Sequence, residues 1–517
     1  MVIKKDNNKI PLVLLILDGW GIAPPSRGNA IALAKTPVMD GLYKKYSTTE
    51  LVAHGERAGL PKEQVGNSEA GHMNLGAGRV VPQDAIIINE AIEDGCFFKN
   101  PAFIDAVRHA QNNNSNIHLI GLVTGYQSAH SFPSHLEALL KLMRESYKKD
   151  VYLHVFTDGR DAPPYESVKV ISRLLKELQY SGRMATICGR FYAMDRKKNW
   201  ERTEKAYDAM TSGKGYEVAD PITAITRAYN SGQNDEFIEP VVIKSENKKG
   251  TINDNDSVIF FNLRSDRARQ LAKPFVQSNF NKKNPSAFKR KKVLKNLKFV
   301  AMTDFGPDLD NISTAFPTKD LSNTLPIMLS SLKQLYVAES EKYAHVTYFF
   351  NGGYAKPIEG EDRVMVQSPD VRSYDEKPEM GIEEIVNAIK KGINKYDFIL
   401  ANFANPDMVA HTGNLKAGIK AVEIVDKAIG DVVKEVFKKQ GTIIVTADHG
   451  NIEEMINLKT GEIDTEHSIN PVPFIIAGNT FLKINLSKGI LADVAPTILK
   501  ILDIKKPAEM TGKSLIL

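Results

Sequence analysis

The chain has 517 residues, 42% hydrophobic and 25% charged, a balance that excludes a disordered chain or a small cross-linked module and allows two or three folded units. Its 67 basic and 62 acidic residues leave a net charge of +5, too small for a general polyanion-binding surface. Cys96 and Cys188 are too few for a disulfide framework or a thiolate-ligated zinc site, which points to a reducing, cytoplasmic setting.

Lys4, Lys5 and Lys9 precede an apolar run, Ile10 to Leu17, that imitates a signal peptide. Asp18 ends the run, no small-residue cleavage site follows, and no stretch approaches the roughly 20 apolar residues of a membrane span, so neither export nor membrane insertion is expected. Leu12 to Leu17 reads instead as a buried strand that hands Asp18-Gly19 to the edge of a sheet. In Gly66-Asn67-Ser68-Glu69-Ala70-Gly71-His72, Ser68 reads as the N-cap of a helix beginning at Glu69 or Ala70, either a plain cap or a nucleophile. Leu136 to Met143 and Val168 to Leu178 have helical apolar spacing, and between them a strand from Val151 to Phe156 leads into Asp158-Gly159-Arg160-Asp161.

The lysine-rich stretch Asn279 to Lys298, centred on Lys289-Arg290-Lys291-Lys292, reads as a solvated loop or helix face rather than a nucleic-acid patch, because Phe280, Phe288 and Phe299 are too sparse for a stacking platform. Further on, helical patterns at Ile382 to Ile389 and Ile419 to Phe437 alternate with strands at Phe398 to Phe403 and Thr442 to Thr446. The first of these strands leads to Asp407 and the second to Asp448-His449-Gly450, while Thr465-Glu466-His467 precedes the apolar Val472 to Ile476. Strands alternating with helices predict α/β layers on a largely parallel sheet, with chemistry gathered at the carboxyl ends of the strands.

Asp407 and His411 are four residues apart and share one face if helical. With Asp18, Asp448, His449 and His467 they make three carboxylates and three imidazoles, enough for two cations, and the lack of thiolates favours manganese, zinc or magnesium. Such a centre would supply the activation that a serine hydroxyl needs at neutral pH.

Together, Asp18-Gly19-Trp20-Gly21, the Gly66 to His72 segment, Asp158 to Asp161, Gly189-Arg190-Phe191-Tyr192-Ala193-Met194-Asp195-Arg196, Glu341-Lys342-Tyr343, Asn405 to Gly413 and Thr446 to Asn451 resemble, in order and across nearly the whole chain, the cofactor-independent phosphoglycerate mutases of the alkaline phosphatase superfamily. The resemblance implies an alkaline-phosphatase-like three-layer α/β domain of residues 1–82 and 318–517, interrupted by an α/β phosphotransferase domain of residues 83–317. It implies one manganese held by Asp407, His411 and His467 and another by Asp18, Ser68, Asp448 and His449, with zinc, cobalt or magnesium as alternatives and no requirement for bisphosphoglycerate. Ser68 would be both ligand and nucleophile. Lys342 would stabilise the transferring phosphoryl group, His130, Arg160, Arg190, Arg196, Arg264 and Arg267 would hold the substrate, and Asp161 would bind it and relay a proton.

The implied reaction passes the phosphoryl group of 3-phosphoglycerate to Ser68 and back to the 2-hydroxyl of the reoriented glycerate, in a monomer with no nucleic-acid or membrane partner. Domain closure to exclude water is expected, with Val81-Pro82-Gln83 and Phe316-Pro317-Thr318 as candidate hinges. One departure stands out: Gln127-Ser128-Ala129-His130-Ser131-Phe132 followed by Pro133 replaces the usual Gly-Gly-Val-His-Ser-His, and His135 is expected on a helix surface. A phosphatase, phosphodiesterase or phosphopentomutase would share the dimetal site but not the arginine motifs, and a silent scaffold would not need Ser68 and a full ligand set.

Overall fold

Leu12–Leu17 forms a strand buried on both faces, as a continuous apolar run must when helices cover both sides of its sheet. The computed structural model describes residues 11–125, 128–149, 151–178, 182–245, 248–317, 320–479 and 481–517. Lys4, Lys5, Lys9, Ile10, Gln127 and Thr318, named above, lie outside the described residues.

The chain divides into two units, residues 1–83 with 319–517, and residues 84–318. In the first unit eight strands lie in the order Glu361–Val366, Gln334–Glu339, Phe398–Phe403, Leu12–Leu17, Thr442–Thr446, Val472–Ala477, Ser47–Val52 and Gly489–Ile490. The first five are parallel, and Val472–Ala477 runs against both of its neighbours. Register places Ile16 opposite both Asn402 and Thr446, so adjacent strands end level and release their following residues at one edge. Helices Ile382–Gly392 and Leu415–Lys438 present apolar stripes to this core, and the longer one starts where the Asn414 side chain accepts from the Ala417 backbone N–H.

The second unit repeats the principle. Six parallel strands, Ile312–Phe316, Lys298–Thr303, Ser257–Phe260, Ile117–Leu122, Val151–Thr157 and Arg183–Gly189, are followed by Val241–Ser245 and Tyr216–Val218. Helices Pro133–Ser146 and Ser167–Leu178 pack on it through Leu136, Leu139, Leu140, Ile171 and Leu174. Among the described residues, no helix is long and apolar enough to cross a membrane.

At the crossing Val81-Pro82-Gln83, the Asn74 side chain accepts from Val81 N at 2.8 Å and Gly59 O accepts from Gln83 N at 2.8 Å. The basic segment is mostly exposed, as its composition suggests, with Lys282, Lys283, Lys289, Lys291 and Lys295 at the surface, and it is tied down at a few points. Arg290 donates to Pro274 O and Ser278 O, Lys291 pairs with Asp208, and Lys292 Nζ donates to Thr211 O, Ile252 O and Asn253 Oδ1. Phe288, Leu294 and Leu297 hold the segment against the core.

Glu339 closes its strand fully buried, with Oε1 accepting from Gly381 N at 3.0 Å and Oε2 left without a hydrogen bond. Burial lifts its pKa to about 7, against the lowering effect of the Gly381 bond. A carboxyl with a raised pKa favours the folded state when protonated, so stability falls as pH climbs from about 4.5 to 7, by on the order of 3 kcal/mol. Glu339→Gln should therefore be more stable than the parent in melting experiments at pH 8, with the difference shrinking towards pH 5.

Candidate metal centre and anion site

Four adjacent parallel strands of the first unit deliver Asp18, Lys342, Asp407 and Asp448 to one edge, each within four residues of a strand end. Gly19 makes the approach possible: its φ is +71°, and a Cβ there would come within 2.9 Å of Asp407 Cα. The sequence expectation for the helix start is corrected. Asn67, not Ser68, is the N-cap, accepting from Ala70 N at 2.9 Å, and Ser68 is the first residue of helix Ser68–Ala77. With the cap supplied by its neighbour, the serine hydroxyl points into the acidic cluster.

Ser68 Oγ accepts from Lys342 Nζ at 2.8 Å, and its single O–H lies between two acceptors, Asp18 Oδ1 at 3.2 Å and His449 Nε2 at 2.9 Å. The same ammonium donates to Asp18 Oδ1 and Asp407 Oδ2, both at 2.6 Å. Burial works against the charge on Lys342, but Asp18, Asp407 and Asp448 hold its pKa above the ordinary lysine range. Burial lowers the pKa of His449 to about 3, so its ring is neutral, and Nδ1 facing Gly450 O at 3.3 Å leaves the Nε2 lone pair towards the hydroxyl.

Beside this group His411 Nδ1 donates to Thr465 O and His467 Nδ1 to Gly66 O, both at 2.8 Å. Carbonyl oxygens only accept, so both Nδ1 atoms carry hydrogen. The two Nε2 atoms face each other at 3.1 Å, and each lies 3.3 Å from Asp407 Oδ1. Three electron-pair donors converging in this way require a proton or a cation among them. Burial alone would lower the pKa of His411, but the charge and hydrogen bond of Asp407 raise it to about 9.

The donor set fits divalent ions on two further counts. Burial and the neighbouring Asp448 carboxylate push Asp18 up to about 6 despite the Lys342 charge, so the cluster lacks positive charge. Asp448 Oδ2 lies 3.2 Å from His72 Nδ1 yet accepts no well-aligned hydrogen bond, because that nitrogen faces Ser68 O at 2.9 Å. Asp407, His411 and His467 form one set of potential ligands, while Asp18, Asp448, His449 and Ser68 lie together beside it.

Sequence reasoning assigned no role to several supporting residues. Asn402 donates to Asp18 Oδ2 at 2.7 Å and faces His72 Nε2 at 3.0 Å, and Asn451 donates to Asp407 Oδ1 at 2.8 Å. Glu453 is buried and accepts from Gly21 N and Asn451 N, each at 2.9 Å, joining two ligand-bearing loops. His72 could have been found one helical turn beyond Ser68; Asn402, inside an apolar strand, and Glu453 gave no comparable signal.

The second unit gathers charge at its own strand ends. Arg190 is buried, and its Nη1 lies 2.6 Å from Asp158 Oδ1 and 2.8 Å from Asp161 Oδ2. Asp158 also accepts from the backbone N–H groups of Arg160 and Asp161 and from Thr124 Oγ1, so this unassigned carboxylate shapes the whole turn. Arg196 pairs with Asp266 at 2.7 Å, and Arg160 lies 3.8 Å from Glu236. Arg267 has its pKa lowered to about 10 by burial and by the charges of Arg196 and Arg160, with Asp266 and Arg190 also acting on it. Burial, then Arg190 and Arg264, lower His130 to about 4, and its buried Nδ1 has no hydrogen-bond partner. Several guanidinium groups gathered beside an imidazole nitrogen with no hydrogen-bond partner suit a carboxylate or phosphate.

Phe132 is extended, as a residue before proline is expected to be, and Pro133 opens the following helix. His135 is buried rather than on the helix surface: it stacks on Phe132 and faces Asn89 Oδ1 at 3.0 Å, on the helix side that packs into the core.

The model of the metalloenzyme superfamily matches residues 10–506. A 2,3-bisphosphoglycerate-independent phosphoglycerate mutase of Clostridium kluyveri is 46% identical, over 98% of this chain and 99% of its own length. Another so named, from Methanosarcina barkeri, is 49% identical over 98% of both chains. The solved phosphoglycerate mutase of Leishmania mexicana, crystallised at low cobalt concentration, superposes with a TM-score of 0.79 at 30% identity and covers 99% of each chain.

Proposed function

We propose, from the premise that this chain belongs to the 2,3-bisphosphoglycerate-independent phosphoglycerate mutases of the metalloenzyme superfamily, that its interconversion of 3-phosphoglycerate and 2-phosphoglycerate runs through a phosphoserine on Ser68. The observation that carries this reading is the Ser68 hydroxyl held between Asp18, His449 and the Lys342 ammonium, all within 3.2 Å. Asp407, His411 and His467 would hold one divalent ion, and Asp18, Ser68, Asp448 and His449 a second. We assign manganese, with zinc, cobalt and magnesium as alternatives. The bound ions supply Lewis-acid stabilisation of negative oxygen.

The chain's own groups account for the remaining steps. Ser68 Oγ attacks phosphorus, the P–O bond to the substrate 3-oxygen breaks, and the proton that the serine gives up ends on that departing oxygen. Lys342 donates to Ser68 Oγ and places fixed positive charge where phosphoryl oxygens gather charge. In residues 83–317, read as the phosphotransferase domain beside a phosphatase-like domain of residues 1–82 and 318–517, Arg160, Arg190, Arg196, Arg264, Arg267 and His130 hold the substrate anion. Asp161 takes the proton from the glycerate 2-hydroxyl as that oxygen attacks phosphoserine, the Ser68 Oγ–P bond breaks, and return of that proton to Oγ regenerates Ser68 beside 2-phosphoglycerate. We further assign the protein to the cytoplasm as a monomer.

The purified protein should convert 3-phosphoglycerate to 2-phosphoglycerate without added bisphosphoglycerate and with little phosphate release, followed by phosphorus NMR. Dependence on bisphosphoglycerate, or stoichiometric phosphate release, would refute this assignment.

A further inference from the structure

One hydroxyl beside Asp161 has no part in the reaction just described. Ser128 Oγ donates to Asp161 Oδ2 at 2.8 Å and is 3.2 Å from the backbone N–H of His130, from which it accepts. Ser128 is only 1% exposed, whereas the Asp161 side chain is 29% exposed, so a fixed buried hydroxyl holds a partly open carboxylate. Arg190 Nη1 meets the same Oδ2 at 2.8 Å, and His130 Nε2 lies 3.9 Å from it. Other charged groups act more indirectly: Asp158 shares the Arg190 guanidinium, while Arg264 and Asp266 act through space on His130.

We propose that Ser128 is a positioning residue for proton transfer: its hydroxyl pins Asp161 Oδ2 against Arg190, sets the carboxylate plane towards the substrate hydroxyl, and ties that geometry to the turn carrying His130. The inference rests on the reading of Asp161 as the proton acceptor. Two donors on one oxygen localise negative charge there and restrain rotation of the carboxylate, which a bond from Arg190 alone would leave freer. Burial raises the pKa of Asp161, but the Arg190 charge and the hydrogen bonds from Arg190 and Ser128 bring it below the usual carboxylate value. Removing the hydroxyl therefore makes Asp161 more basic as well as less ordered.

The test measures kcat and KM from pH 5 to 9 for the full-length enzyme, Ser128→Ala, Ser128→Thr and Asp161→Asn. Ser128→Ala should lower kcat about tenfold with KM changed less than about threefold, a fraction of what a general base contributes. The acid limb of its kcat/KM profile should move up by about 0.5 pH unit or more, as loss of a stabilising donor requires. Ser128→Thr should recover the parent limb. Because the limb's position does not depend on active-enzyme concentration, it remains readable if a variant folds less well. An unmoved acid limb in Ser128→Ala, whatever its kcat, would overturn the role of Ser128. Full activity with an unchanged profile in Asp161→Asn would instead overturn the reading of Asp161.

Discussion

Ser68→Ala is expected to abolish isomerisation, with kcat reduced by roughly 10⁴-fold or more, because removing the attacking atom of a covalent mechanism leaves only binding and electrostatic stabilisation. That loss corresponds to about 5 kcal/mol or more of activation free energy. The fold should survive. The side chain contributes hydrogen bonds to Asp18 and Lys342 and faces His449, while Lys342 keeps both carboxylate partners and Asn67 still caps the helix. Stability should therefore change by only about 1 kcal/mol. Mass spectrometry of acid-quenched parent enzyme with substrate should show one phosphate on the peptide containing Ser68, and the variant none. Isomerisation persisting in Ser68→Ala would refute the phosphoserine route.

Removing divalent ions should have an effect of similar size. Chelation should reduce activity below about 1%, since the Lewis-acid contribution to transition-state charge is worth several kcal/mol. It should also lower the melting temperature, because ions that bind only the folded chain stabilise it by about 2.7 kcal/mol at one hundred times their dissociation constant. The chain alone sets Lys342 against the buried carboxylates Asp18, Asp407 and Asp448. Metal affinity measured by calorimetry should rise from pH 6 to 8. Asp407 raises His411 to about 9, so binding there displaces a proton, and each pH unit below that value weakens it about tenfold. Activity unaffected by exhaustive chelation would remove the dimetal assignment.

Much of this architecture was legible before any coordinates. Leu12–Leu17, Phe398–Phe403 and Thr442–Thr446 are strands with the bounds that their apolar runs suggest, and the amphipathic stretches are helices extending a few residues further. Local patterning misled where several local solutions were available. Ser68 and Asn67 are both competent caps, and only the acidic cluster beyond the hydroxyl distinguishes them. Most lysines after Asn279 are exposed as they read in one dimension, but Lys292 reaches carbonyls 40 and 81 residues away, which its neighbours in sequence do not announce. His135 looked like a surface residue because nothing nearby in sequence announces Asn89 as its partner.

What the sequence determined by itself was the alternation of elements and the kinds of side chain placed after each strand, because burial imposes short periods on a chain and those periods can be read locally. Tertiary structure alone decided which of those side chains meet. Parallel strands ending level bring Asp18, Lys342, Asp407 and Asp448 together across hundreds of residues, and the buried Asn402, His72 and Glu453 acquire their roles only through those neighbours. Hydrogen bonding and charge fall off within a few ångströms, so such roles follow from three-dimensional proximity, which sequence separation does not encode.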